Sequence, residues 1–128
     1  GGGRHVAWVR RGWTDLHPHS TGVYSHFLSD EGAAGVDVVL NGHDHNYQRF
    51  APQDPEGRAD PENGIRQFVV GTGGRSLYQI SHPIANTEVY NDDTYGVLEL
   101  TLHPKSYDWE FVPVKGEIFS DSGVARCH

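Results

Sequence analysis

Val38-Val39-Leu40-Asn41-Gly42-His43-Asp44-His45-Asn46-Tyr47-Gln48-Arg49-Phe50 is the stretch whose reading decides the fold. An apolar run that starts at Val36 enters a glycine and then two histidines one residue apart. A short, continuous apolar run reads as a strand buried on both faces, the kind found in parallel sheets. Ligands in open α/β sheets sit beyond the carboxyl ends of such strands, and both histidines lie just past one. Neutral imidazole is the commonest protein ligand for zinc, iron and similar metals. If the segment stays extended, side chains at i and i+2 point the same way. His43 and His45 are then expected to converge on one ion or on two neighbouring ions, with Asp44 aimed elsewhere. Gly42 is expected to provide the turn off the strand and to let backbone approach the site.

Working outward, residues 5–9 read as a short strand and 10–22 as a loop rich in His, Pro, Ser and Gly. Val23, Phe27 and Leu28 have helical spacing, so a helix is expected over 23–34, with Gly35 as its terminator. Helix, glycine, buried strand is the order of an α/β unit. Residues 51–64 hold three prolines and five charges, which exclude regular structure there. Ile65–Val70 is the next strand, and it too runs into glycines, at Gly71-Thr72-Gly73-Gly74. Residues 79–94 read as irregular, with Glu88-Val89-Tyr90 as an edge strand. Residues 95–114 read as a β-hairpin that turns at His103-Pro104-Lys105-Ser106. Leu98, Leu100 and Leu102 alternate on one strand of it; Tyr107, Trp109 and Phe111 alternate on the other. A last strand is expected around Ile118-Phe119.

The length of 128 residues allows one domain or part of one. A hydrophobic content of 36% and sixteen glycines leave a modest core and many loops. No apolar run approaches the roughly 18 residues that cross a bilayer, and the Gly-Gly-Gly start lacks the regions of a signal peptide. The formal charge of −7 argues against nucleic-acid binding, which needs a positive surface. A small phosphate ester remains compatible, because bound metals supply local positive charge. Cys127 is the one cysteine, so no internal disulfide forms.

Asn41-Gly42-His43-Asp44-His45-Asn46-Tyr47-Gln48-Arg49 resembles the last metal-ligand motif of calcineurin-like metallophosphoesterases, in particular the purple-acid-phosphatase-like branch. Phe68-Val69-Val70-Gly71-Thr72-Gly73-Gly74-Arg75-Ser76-Leu77-Tyr78 and Gly96–Phe111 resemble the blocks that follow it there, in the same order. The likeness covers roughly residues 33–128. Residues 1–32 diverge from the family pattern. The resemblance implies an α/β fold, the C-terminal part of an α/β/β/α sandwich. It implies two metal ions (iron, zinc, manganese or similar) and a phosphate mono- or diester as substrate. It implies a secreted or extracytoplasmic parent and no membrane partner. It also implies a late cysteine pairing with one near the region's start, where His5 stands here. Family members build their site from earlier motifs as well: an Asp, an Asp shared by both metals, and an Asn-His pair. None of these occurs in the chain. The chain thus resembles a C-terminal piece, inactive in isolation, that would depend on an upstream portion of the same enzyme. The alternative is a noncatalytic domain that keeps the fold and has lost the chemistry.

The residues expected to carry the chemistry follow from both lines. His43 and His45 are the metal ligands, and His17, or failing it His19, is the candidate third. Asn41, Asp44 and Asn46 are candidates to orient the rings, or simply form the turn. Arg49 either steadies a phosphate oxygen with its forked donors or pairs with an acid in the 54–62 loop. Gly73 and Gly74 are candidates to present backbone amides to the substrate. His26, His82, His103 and His128 are read as bystanders, and Trp8, Tyr107 and Trp109 as core.

Overall fold

The structure, a computed structural model, describes residues 35–128 and the backbone of residues 7–10. Its strands are β1 (Ala7–Arg10), β2 (Val38–Asn41), β3 (Tyr47–Phe50), β4 (Arg66–Val70), β5 (Thr87–Asn91), β6 (Gly96–Leu102), β7 (Ser106–Pro113) and β8 (Ser122–Arg126). The first five form one sheet in the order β1-β2-β4-β3-β5, and the last three a second sheet in sequence order. β1, β2 and β4 are mutually parallel, while β3 is antiparallel to both of its neighbours. No helix occurs among the described residues, and the one expected over 23–34 lies outside them.

The two apolar strands of the sequence pair directly, with Val38 opposite Arg66 and Leu40 opposite Phe68. Across the next ladder Arg49 faces Phe68 and Tyr47 faces Val70. Residues opposite each other share a face, so Val38, Leu40, Tyr47, Arg49, Arg66, Phe68 and Val70 point the same way. That face meets the second sheet. Val38, Tyr47 and Phe68 cluster with Tyr107, Trp109 and Phe111 from β7, and Leu98 and Leu100 of β6 pack against them. Each such aromatic buries enough surface for about 1.5–3 kcal/mol. Leu102, third in its alternation, is exposed because it lies at the far end of β6. Gly123 of β8 lets the Trp109 ring lie across it, since a Cβ there would come within 2.3 Å of the ring.

Two arginines stand on this inner face, and their charge is met by acids from other strands. Asp121, just ahead of β8, takes Arg49 Nε at 2.7 Å and Nη2 at 3.1 Å, and the Tyr47 hydroxyl at 2.7 Å. Glu88 bonds both Arg49 and Arg66. By alternation Glu88 belongs on the opposite face from Val89. A register shift against Arg49 and Phe50 breaks that alternation, as bulges do when they re-aim a side chain. Both guanidinium carbons lie about 5 Å from the centre of the Trp109 ring, at 5.1 Å for Arg49 and 5.0 Å for Arg66, within cation–π range. Arg66 Nε and Trp109 Nε1 are buried without an acceptor among the described residues, a cost that the ring contacts offset in part.

Tyr47–Phe50 is a strand that the sequence pattern does not mark. The structure corrects two expectations. The last strand is Ser122–Arg126, not the region of Ile118-Phe119: Phe119 tucks against Phe111 and Tyr47 while Ile118 is 97% exposed. Arg49 finds its acids in Asp121 and Glu88, and Asp54 of the 51–64 loop binds Arg58 instead. That loop has no strand, but Gln53 bridges to Ala59 and Ile65 and ties it down.

Burial first, and the Asp121 carboxylate second, push the Tyr47 phenol far above its ordinary pKa. Folding therefore favours the protonated phenol. Its contribution is complete below the unfolded tyrosine pKa of about 10 and is lost as pH rises beyond it. Burial raises Tyr107 in the same sense. Urea unfolding is expected to show stability falling between about pH 9 and 11. Tyr47→Phe should cost about 1–2 kcal/mol at neutral pH through the lost hydrogen bond, yet fall less steeply over the alkaline range. Arg49 and Asp121 side chains are 13% and 8% exposed. Asp121→Ala, which strands the arginine, should cost about 3 kcal/mol by the same measurement.

Candidate functional site

Three parallel strands end at one edge, and the loops after β2 and β4 meet there. The first loop does not continue the strand. Residues 43–46 form a bend, and His43 takes a φ of 81°, a left-handed conformation that side chains other than glycine seldom adopt. Strand alternation therefore does not relate His43 to His45, because the segment is not extended. The positive φ falls on His43 and not on Gly42. The close approach is made by Gly71, where a Cβ would stand 1.8 Å from the Asp44 carbonyl oxygen. The Gly71 amide then donates to the Asn46 carbonyl at 3.0 Å.

His45 is the better-defined of the two imidazoles. Its Nδ1 lies 2.8 Å from the Ser76 carbonyl oxygen. A carbonyl only accepts, so Nδ1 carries the proton and the neutral ring keeps its lone pair on Nε2. The ring stacks on Tyr78 with centroids 4.2 Å apart and planes 24° from parallel. The Tyr78 amide donates to the His45 carbonyl at 2.8 Å, so ring and backbone are gripped by the same loop. His43 is exposed at the tip of the bend.

Asn41 and Asn46 spend their amides on other partners. Asn41 accepts from Gln67 at 2.7 Å, and Asn46 accepts from Gln48 at 2.9 Å and donates to the Tyr78 carbonyl at 3.5 Å. The group that orients His45 is the Ser76 carbonyl. No sequence signal marks a main-chain acceptor 31 residues away; only the pairing of β2 with β4 brings it there. Gly73 and Gly74 are exposed on that same loop, with Gly74 at a φ of 133°, and Thr72 anchors its base through a bond to the Gly96 carbonyl at 2.8 Å. Arg49 leaves the edge for the inner face, where Asp121 and Glu88 hold it. Its burial lowers its pKa, but the hydrogen bond and charge of Asp121 outweigh this and raise it. His103 pairs with Asp108 and His128 with Asp37. His17 and His19 lie outside the described residues. No group of three His, Cys, Asp or Glu side chains that could hold a metal is gathered among the described residues. Burial, with Asp37 beside it, pushes the pKa of the Cys127 thiol up to about 11.

The chain is similar to a purple acid phosphatase. The relative is the probable inactive purple acid phosphatase 1 of Arabidopsis thaliana, 34% identical over 74 positions that take in 52% of this chain. The match spans 12% of the relative's own length. No family model matches the chain.

The 1.8 Å approach at Gly71 makes a specific prediction. Gly71→Ala must push the β2–β3 and β4–β5 loops apart, at about 1–3 kcal/mol. The same shift should move the His45 ring off Tyr78, which NMR would read as a changed chemical shift of the His45 ring protons. Gly73→Ala, with open space around it, should leave both stability and that shift unchanged.

Proposed function

We propose that this chain is part of a calcineurin-like metallophosphoesterase domain, the C-terminal part of its α/β/β/α sandwich. In this reading His43 and His45 are metal ligands, and the complete protein hydrolyses a phosphate mono- or diester. The observation that supports it is the state of His45: a ring just past a parallel strand, its Nδ1 proton given to a main-chain carbonyl, its Nε2 lone pair left over. Ligating histidines are held in this manner, which fixes tautomer and orientation. The similarity over 74 residues to a purple acid phosphatase points the same way.

The oriented His45 ring fits part of a metal site; His43 would add a second ligand, and the third and later ligands would come from His17 or from elsewhere in a longer chain. Two ions of zinc, iron or manganese, when bound, would supply positive charge over the phosphate oxygens and make a water nucleophile available near neutral pH. The chain's own residues hold and orient. Ser76 and Tyr78 fix His45, Gly71 sets the approach of the two loops, and Arg49 anchors β3 behind them. Gly73 and Gly74 offer backbone amides at the edge.

A second reading, a domain that retains the fold without the chemistry, has its own support. The relative is itself described as probably inactive, and the described residues assemble no group of three ligands. Calorimetric titration with zinc or manganese separates the two. Under the first reading the chain binds metal, and His43→Ala with His45→Ala abolishes the binding. No binding by the unaltered chain would favour the second. In either case the isolated chain is expected to leave p-nitrophenyl phosphate intact. Turnover that disappears in His43→Ala would show that its site is complete.

A further inference from the structure

On the sheet face opposite the aromatic core, a groove of about 290 Å³ opens beside the histidine loop. Its floor is Gln48 and Phe50 of β3 and Gln67 and Val69 of β4; its wall is the segment from Tyr78 to Ile84. Tyr78, 52% exposed, carries His45 against its ring and also lines the groove.

The chemistry of this lining stands out in a chain of formal charge −7. Four carboxamides border it, those of Asn46, Gln48, Gln67 and Gln79, with Ser81 and His82. No lysine or arginine does, and Asp44 is the single carboxylate. An anionic ligand would meet no cation there. A cationic one would meet one acid at the rim. Carboxamides and hydroxyls both donate and accept, which suits a neutral ligand whose hydroxyl groups do the same. An aromatic ring beside them adds a flat apolar surface for the C–H face of such a ligand. The volume lies at the small end of ligand pockets, close to one sugar ring.

We propose that this groove binds a neutral, polyhydroxylated group of monosaccharide size. Gln48 and Gln79 supply hydrogen bonds and Tyr78 supplies the stacking surface. If the phosphoesterase reading above holds, this ligand is the alcohol half of the ester, with its phosphate toward His45. The binding itself does not depend on that reading.

The test is a metal-free NMR titration of the isotope-labelled full chain with D-glucose, with inorganic phosphate as the comparison. Glucose is expected to give saturable shifts, with a Kd on the order of millimolar, centred on Tyr78 and the side-chain amides of Gln48 and Gln79. Tyr78→Ala should weaken the binding roughly fivefold or more. Gln48→Leu, which keeps the ring, should weaken it as well. Phosphate should leave these signals in place. Glucose shifts that never saturate, or that persist unchanged in both variants, would overturn the proposal. So would phosphate occupying the same residues. Because no metal is present, a failure here is distinct from a failure of the metal titration.

Discussion

The carboxylate of Asp121 ties the two sheets together. It belongs to the second sheet by sequence, yet it receives the hydroxyl of Tyr47 and two nitrogens of Arg49, all from the first. Without it the inner face would carry two arginines opposite Glu88 alone. Two cations and two carboxylates make the cluster neutral, and its location between aromatic residues makes that neutrality necessary. A buried cluster of this sort adds little net stability over an apolar replacement, but losing one member leaves it with an uncompensated charge. The cluster therefore specifies how the sheets dock more than it drives them together. The apolar contacts of Phe68, Trp109 and Phe111 provide the drive.

The same clasp reaches the histidine loop through the chain. Tyr47 follows Asn46 directly, so fixing its hydroxyl fixes where β3 begins and where the bend of residues 43–46 must end. The other end of the bend is set by β2, whose Asn41 is tied to Gln67 of β4. Between these two fixed points the backbone passes against Gly71. The left-handed φ of His43 is the conformational cost of that short path. The grip on His45 by Ser76 and Tyr78 follows once the two loops are this close.

The parts of this arrangement legible in the sequence are those with a local cause. The runs 36–40 and 65–70 announce buried strands, the alternation of Tyr107, Trp109 and Phe111 announces a half-buried one, and both glycine-bounded strand ends mark the edge where loops gather. What was not legible depends on long-range pairing. Tyr47–Phe50 is a strand because β4 and β5 flank it, since Gln48 and Arg49 mask any apolar pattern. Ser122–Arg126 contains Ser, Gly and Arg and becomes a strand by pairing with β7. Arg49 illustrates the limit most clearly. A guanidinium four residues past a histidine pair reads naturally as a phosphate ligand, but the strand turns it inward, and its acids lie 39 and 72 residues away. His43 and His45 escape strand alternation for a related reason: the strand ends at Asn41, and the geometry of a strand does not extend past its hydrogen bonds.

These placements bear on what can act at the edge. Arg49, Arg58 and Arg66 each have carboxylate partners. Arg75 stands on the loop beside His45, exposed and without an ion pair among the described residues. One solvated guanidinium contributes on the order of 1 kcal/mol or less to holding an anion. The chain as a whole carries a formal charge of −7, which repels a phosphate ester at long range. The described side chains alone thus leave this edge short of positive charge, and the phosphoesterase proposed above would need metal ions to supply most of it. Under that proposal substrate affinity and metal occupancy are one property: a lineage that lost a ligand elsewhere in the chain would lose phosphate binding with it. It would still keep the sheets, the clasp and the groove beside Tyr78, none of which requires a metal to form.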